Sequence, residues 1–336
     1  MKKWLISFAA LFVAVGAYAQ NLNSYIPADA MIVGSVNGPA MLESKYLNTL
    51  LPVFTQQTME ELLKEKGQTM EQAKKQCGTG LFYFKIAVGN PMPQLKGGAI
   101  ILGAAKDSFK EINNITQQIF DAELKKNANM LSVLQQMGMK LELTKIANKN
   151  SVLISMQNPA AQIILTGIND RMFQIRFAIA KPADKTLLKP LKQYSALTKK
   201  IDSKALISLV ADIQAIVKLE PQMQQDPVMA GIKTASISVR EVNNNLILLT
   251  ETATASPEAA AMIHAQINAL IATLKNDPAN KALADMMKLN VKGNNVEFQA
   301  SFPVDFVINA IKSTLANIPQ QNVPGAAPAP AVPAAK

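Results

Sequence analysis

The sequence is poor in the residues that most often carry chemistry or cross-link a secreted fold. It contains one Cys, one His and one Trp among 336 residues, and aromatic residues make up 5% of the chain. A single Cys, Cys77, cannot form an intramolecular disulfide, so packing has to hold the fold together. Metal sites built from several His or Cys residues are excluded. We predict no metal site and no cofactor.

The remaining reactive residues give little support to catalysis. His264 lies in an Ala-rich predicted helix without a marked nucleophile or orienting carboxylate, so we interpret it as a helix-surface residue. Cys77 precedes Gly78-Thr79-Gly80, and a small packed residue is favoured there over a reactive thiol. This glycine pair lacks the Lys-Ser/Thr of a P-loop and the third Gly of a dinucleotide fingerprint. We predict no catalytic residue, although a hydrolase based on paired carboxylates needs no His and stays open.

The longest apolar run lies at the amino terminus and is too short for a full membrane span. Lys2 and Lys3 precede an apolar stretch at residues 4–15, and Ala17-Tyr18-Ala19 follows as a cleavage site, the pattern of a secretory signal peptide. We expect cleavage after Ala19, a periplasmic or secreted location and no transmembrane segment after cleavage. No Cys lies at the cleavage point, so we do not expect a lipoprotein.

The chain is basic, with a formal net charge of +10 at pH 7. Outside the cytoplasm such a surface suits an anionic partner, such as an envelope surface or an envelope protein. Nucleic acid is not expected, because the compartment is wrong and aromatic stacking residues are sparse. Lysines concentrate in residues 181–204, which read as an amphipathic connecting helix. The candidate anionic-partner patch comprises Lys185, Lys189, Lys192, Lys199 and Lys200. An ordinary solvated helix face explains the same pattern, and the sequence leaves both interpretations open.

Two stretches of the chain show the same order of predicted elements. Residues 98–164 and 245–311 each read as a strand, a long helix, a hairpin and a short helix. Met-Lys-Leu begins the hairpin both times, at Met139 and at Met287. The sequence therefore predicts an internal duplication, an α+β fold of two related halves in which each half is an antiparallel sheet with helices mainly on one face.

This interpretation divides the chain into six segments. They are a signal peptide (1–19), a lead-in (20–29), a first α+β half (30–180), a basic connector (181–204), a second α+β half (205–317) and a disordered Pro/Ala-rich tail (318–336). Local signals add detail. Asn37 and Asp212 are placed to cap helices, and residues 243–245 form a turn suited to left-handed backbone. Pro52 should interrupt a helix, and Pro159 should begin a short one.

The start of the chain carries one resemblance to known proteins. Residues 26–30 read Ile-Pro-Ala-Asp-Ala, and an apolar strand, Val36-Asn37, a helix and an aromatic strand at residues 80–84 follow. This arrangement resembles the opening of certain bacterial extracytoplasmic domains of unknown function. The resemblance implies a cell-envelope setting and an α+β fold, and it supplies no catalytic residue.

Three classes of function remain open. The favoured one is a non-catalytic cell-envelope protein that binds or scaffolds a partner through exposed sheet or the basic connector. The second is a carrier of a lipid or another apolar ligand, which needs a Met- and Leu-lined cavity between helices and sheet. The 16 Met residues suit such a groove or ordinary core filling. The third is a carboxylate-based hydrolase, which needs two facing carboxylates in a cleft.

Overall fold

A computed structural model describes residues 25–316, except 56, 66, 77, 89–93, 104–135, 137, 147–148, 157–159, 170–171, 180–194 and 279. The expected signal peptide, Cys77, the long helix of the first repeat and the tail lie outside the described residues.

The described residues form twelve strands and several short or medium helices. The strands are β1 (Ile32–Asn37), β2 (Thr79–Ala87), β3 (Gln94–Gly103), β4 (Met139–Ile146), β5 (Lys149–Met156), β6 (Ala161–Asn169), β7 (Met172–Ala178), β8 (Ile207–Asp212), β9 (Ile232–Val242), β10 (Asn245–Thr254), β11 (Met287–Lys292) and β12 (Asn295–Pro303). The α-helices are α1 (Gly38–Glu43), α2 (Lys45–Thr55), α3 (Met59–Glu65), α4 (Met70–Gln76), α5 (Ile213–Val217), α6 (Pro221–Gln225), α7 (Pro227–Ala230), α8 (Pro257–Asn276), α9 (Lys281–Asp285) and α10 (Val304–Ala316). A 3-10 helix, Ala196–Lys200, precedes β8.

All twelve strands belong to one antiparallel sheet with the order β11-β12-β10-β9-β8-β1-β2-β3-β7-β6-β5-β4. The predicted α+β class with antiparallel pairing is therefore confirmed. The strands of the two halves form one continuous sheet, because β1 and β8 pair directly at its centre. Each of these strands would otherwise present an unpaired edge of backbone amides and carbonyls.

The structure does not show the internal duplication that the sequence predicted. Hairpin β11–β12 lies next to β10, whereas hairpin β4–β5 is separated from β3 by β7 and β6. The matching Met-Lys-Leu segments therefore occupy different places in the sheet. The prediction of a short helix from Pro159 is wrong for residues 161–169, because these residues form strand β6. β-Branched Ile163 and Ile164 fit the pleated surface of a strand, and Ile164 is fully buried there.

Local signals were predicted more successfully. Asn37 Oδ1 accepts a hydrogen bond from the Ala40 amide at 3.2 Å, and Asp212 Oδ1 accepts one from the Ala215 amide at 2.8 Å. Both residues thus cap helices as expected. Asn243 and Asn244 have φ values of 51° and 60°, the left-handed backbone that this turn requires.

Helix α2 is a local exception, because it continues through Pro52 instead of ending there. Leu50 of this helix is buried against Leu206 of the segment before β8 and Leu246 of β10. Tertiary packing on the sheet therefore outweighs the backbone hydrogen bond that proline removes.

The two faces of the sheet differ in what covers them. On the helix-bearing face, Val304 and Ile308 of α10 join the cluster around Leu50, and Ile263 of α8 packs against Val296 of β12. On the opposite face, the 3-10 helix and the segment before β1 cover the central strands. The cluster formed there includes Ile26, Val33, Leu81, Tyr83, Ala99, Ile101, Leu197 and Val210.

Candidate functional site

An apolar trough crosses the helix-bearing face between two groups of helices. Along β10, Leu246 lies beneath α2 and α10, while Thr252 pairs with Val296, which packs against α8. Two rows of cross-strand neighbours lie between these limits. They are Ile207-Val239-Leu248-Ala300 and Leu209-Ile237-Thr250-Phe298. We call these two rows the trough.

Two residues of the trough are conspicuously exposed for their size. Ile207 of β8 and Ile237 of β9 each keep 41% of their surface accessible, although both lie on central strands. A contiguous patch of exposed apolar side chains marks a ligand- or partner-binding surface more often than a single exposed apolar side chain does. The middle of this face is therefore a candidate binding surface.

A cleft of about 350 Å³ lies where the trough meets α2. Its lining residues are Tyr46, Leu47, Leu206, Ile207, Val239, Leu246, Leu248 and Phe302. Tyr46 has the only polar side chain among them. The cleft is open to solvent rather than enclosed, so a ligand can enter without movement of the backbone.

The trough continues past β8 toward the other half of the sheet. Leu209 is paired with Gly34 of β1, and Gly34 is paired with Phe82 of β2. The Phe82 ring lies over Gly34 so closely that a Cβ atom there would overlap it. The Phe82 and Phe84 ring centroids are 5.6 Å apart, and those of Phe84 and Phe177 are 6.4 Å apart. A tilted aromatic group thus extends the apolar floor.

Glu241 of β9 holds the wall of the cleft in place. Its carboxylate accepts hydrogen bonds from Ser44 Oγ at 2.5 Å, from the Lys45 amide at 2.9 Å and from the Tyr46 amide at 3.2 Å. Ser44 Oγ in turn accepts from the Leu47 amide at 3.1 Å. A negative charge at the first turn satisfies the free amides and the helix dipole of α2. Tyr46 and Leu47 are thereby positioned over the strands of the second half.

Burial raises the pKa of the Tyr46 phenol. The phenol is therefore neutral at physiological pH and keeps its proton for donation. Its hydroxyl makes no hydrogen bond within the described part of the chain. The cleft thus combines seven apolar side chains with one available hydroxyl.

A second, polar groove of about 250 Å³ lies on the opposite face. There Arg240 Nε donates to Asp202 Oδ2 at 2.5 Å, and the Asp202 amide donates to Ser208 Oγ at 3.0 Å. Burial opposes ionisation of Asp202. Hydrogen bonds from Arg240, the Lys204 amide and Ser238 outweigh this and lower the Asp202 pKa below its usual value. This network joins the connector to the sheet.

The same groove contains two facing carboxylates, the feature that a hydrolase would need. Glu251 of β10 and Glu297 of β12 are direct cross-strand neighbours. Glu251 is exposed, and Glu297 Oε2 lies 2.9 Å from Lys292 Nζ. The described residues that line this groove are mostly polar, and no apolar pocket formed by them encloses either carboxyl group. The hydrolase alternative therefore stays a prediction.

The candidate lysines are only partly placed. Lys199 and Lys200 end the 3-10 helix, and Lys200 Nζ donates to Thr234 Oγ1 at 2.7 Å. Lys185, Lys189 and Lys192 lie outside the described residues, so the proposed patch stays a prediction. His264 lies part-exposed on α8, as expected.

The described ranges offer neither a metal cluster nor a membrane-spanning helix. Three or more His, Cys, Asp or Glu side chains are nowhere grouped to hold a metal ion in that part of the chain. Among the helices described, none has both the length and the apolar composition that a membrane span requires.

Comparison with known proteins adds little to this description. No protein-family model matches the chain, and no curated protein matches it. Among solved structures, crystal form I of TP0453 is similar over 88% of this chain and 98% of that chain, with 10% identity and a TM-score of 0.41. Crystal form III of TP0453 is similar over 86% and 97% of the two chains, with 9% identity and a TM-score of 0.39. Similarity at this level transfers neither a fold assignment nor a function to this chain.

Proposed function

We propose that this protein is a non-catalytic binding protein of the cell envelope that holds an apolar ligand in the trough. The observation that carries the proposal is the cleft beneath α2, whose lining is apolar except for Tyr46, next to the exposed Ile207 and Ile237. The envelope location rests on the signal-peptide pattern of residues 1–19 and on the resemblance of residues 26–84 to extracytoplasmic domains.

The shape of the trough favours a small ligand over the flat surface of a protein partner. Helices α2 and α10 lie on one side of the two rows and α8 lies on the other. Each helix is about 10 Å across with its side chains, so the floor is recessed between them. The cleft volume of about 350 Å³ lies within the range of small-molecule sites. Removing apolar surface from water supplies the driving force, at about 25 cal/mol per Å².

A charge placed on the trough floor tests this proposal. We expect Ile237→Lys to weaken binding of N-phenyl-1-naphthylamine, a neutral fluorescent probe, by more than about tenfold, because an apolar ligand would desolvate the ammonium group. Probe titration by fluorescence measures the effect. Native mass spectrometry of protein purified from its own host should also show a retained apolar molecule.

Val242→Lys is the matched control for this experiment. Val242 belongs to the same strand and is 44% exposed, but it lies five positions away and so on the opposite face. It should bind the probe as the wild type does. Wild-type protein that neither binds the probe nor retains an apolar molecule would refute the proposed function.

We also infer that the two halves are related, but not through the match of residues 98–164 with residues 245–311 that the sequence suggested. Support comes from the order β1-β2-β3-β7-β6, which matches β8-β9-β10-β12-β11 outward from the centre. The central pairing is symmetric, since Gly34 faces Leu209 while Ile32 faces Ala211 and Val36 faces Ile207. Hairpin β4–β5 is then an addition at one edge. An experimental structure in which these two five-strand units do not superpose would contradict this relation.

A further inference from the structure

We propose that the ligand is a single-chain amphiphile, with an unbranched acyl chain along the trough and an oxygen of its polar end bonded to the Tyr46 hydroxyl. This inference rests on the proposed function and names the chemical class that the same site would take. The acyl chain is inferred from the dimensions of the trough, and the polar end is inferred from the Tyr46 hydroxyl.

The dimensions of the site support one chain rather than two. The four neighbouring strands β8, β9, β10 and β12 together span about 14 Å, at the usual spacing of about 4.8 Å between neighbours. The two rows along these strands are about 7 Å apart. The cleft volume of about 350 Å³ is near the lower limit for ligand pockets. A long, narrow, shallow apolar path suits a flexible chain better than a two-chain lipid or a fused-ring molecule.

The polar end is assigned from Tyr46, which has the one hydroxyl among the described residues that line the cleft. Tyr46 lies at the α2 end of the trough, and burial raises its pKa, so the phenol offers a proton to an acceptor. The nearest cation in sequence is Lys45, whose Nζ forms an ion pair with Asp305 Oδ2 at 3.1 Å. The site therefore presents a neutral donor, which suits a carbonyl or carboxyl oxygen.

A chain-length series tests the acyl part of this inference. Saturated fatty acids of increasing length would displace N-phenyl-1-naphthylamine from the full-length protein, each used below its critical micelle concentration. We expect affinity to rise about three- to fourfold for each added CH₂ group, the gain from about 0.8 kcal/mol of apolar burial, and to level off when the trough is filled. Affinity that does not depend on chain length would overturn the inference.

Tyr46→Phe tests the polar part. Phenylalanine keeps the ring and removes the donor, so fatty-acid affinity should fall about three- to tenfold, the usual value of one neutral hydrogen bond. The melting temperature should be unchanged. If Tyr46→Phe binds fatty acids as tightly as the wild type does, the proposed hydrogen bond from the Tyr46 hydroxyl is wrong. If the wild-type protein binds the probe but no fatty acid displaces it, the inference is overturned and the proposed function stands. If the protein binds neither the probe nor a fatty acid, both the inference and the proposed function are refuted.

Discussion

Replacing Gly98 by Ala is expected to lower the free energy of unfolding by more than about 3 kcal/mol, or to prevent folding. Gly98 is buried in β3 between β2 and β7. A Cβ atom there would overlap the Tyr83 carbonyl oxygen and lie 2.9 Å from Phe84 Cδ1 and 3.0 Å from Phe177 Cε1. The carbonyl belongs to a paired central strand, so it cannot move away without breaking the sheet.

Two neighbouring glycines provide graded controls for this result. Gly80→Ala should change stability by less than about 0.5 kcal/mol, because the nearest atoms to its Cβ would be 3.7 Å away. Gly34→Ala should cost an intermediate amount, since the obstacle is the tip of the Phe82 ring, and adding Phe82→Leu should recover part of it. Urea unfolding curves measure all variants. If Gly98→Ala proves as stable as Gly80→Ala, the packing described for β2 and β3 is wrong.

Wild-type protein should lose about 2 kcal/mol of stability between pH 10 and pH 12 through Tyr83 alone. Tyr83 is 3% exposed, and burial raises its pKa from 10.0 to about 12, with Arg176 opposing and Asp29 adding to the shift. The unfolded chain ionises near pH 10, so in this interval it binds fewer protons than the folded protein. The contribution is therefore fully present below pH 10 and is lost as the pH rises through the folded pKa.

Tyr83→Phe isolates this contribution from that of the lysines, which titrate in both proteins. The variant should show a shallower decline of unfolding free energy from pH 9 upward, whatever its stability at neutral pH. Urea unfolding at closely spaced pH values measures the two slopes. Parallel slopes would mean that the Tyr83 phenol is accessible to water in the folded state.

Elements whose signals lie within a few residues could be predicted from the sequence. Asn37 and Asp212 cap the helices that follow them, because a cap needs only an amide three residues away. The Asn243-Asn244 turn depends only on the backbone freedom of these two residues. The antiparallel α+β class also follows from local patterns of strands and short connections.

The candidate site could not be predicted in the same way, because every contact that builds it joins distant parts of the chain. Glu241 caps a helix that begins near residue 45, and no local pattern marks a carboxylate nearly 200 positions away as a cap. Ile207 and Ile237 read as ordinary strand residues until β8 and β9 are placed in one sheet. A cross-strand row is a property of register, which the hydrophobic pattern of a single strand does not contain.

By itself, the sequence determined which reactive residues are scarce, the caps at Asn37 and Asp212, the Asn243-Asn244 turn and the antiparallel α+β class. These depend on composition and near neighbours. Tertiary structure alone decided that β1 and β8 join the halves, that β6–β7 rather than β4–β5 lies beside β3, and that α2 stands over β8–β10. These choices depend on which strands find unpaired edges and which apolar faces meet. Each compares the free energies of contacts between distant segments, so a linear pattern does not contain the answer.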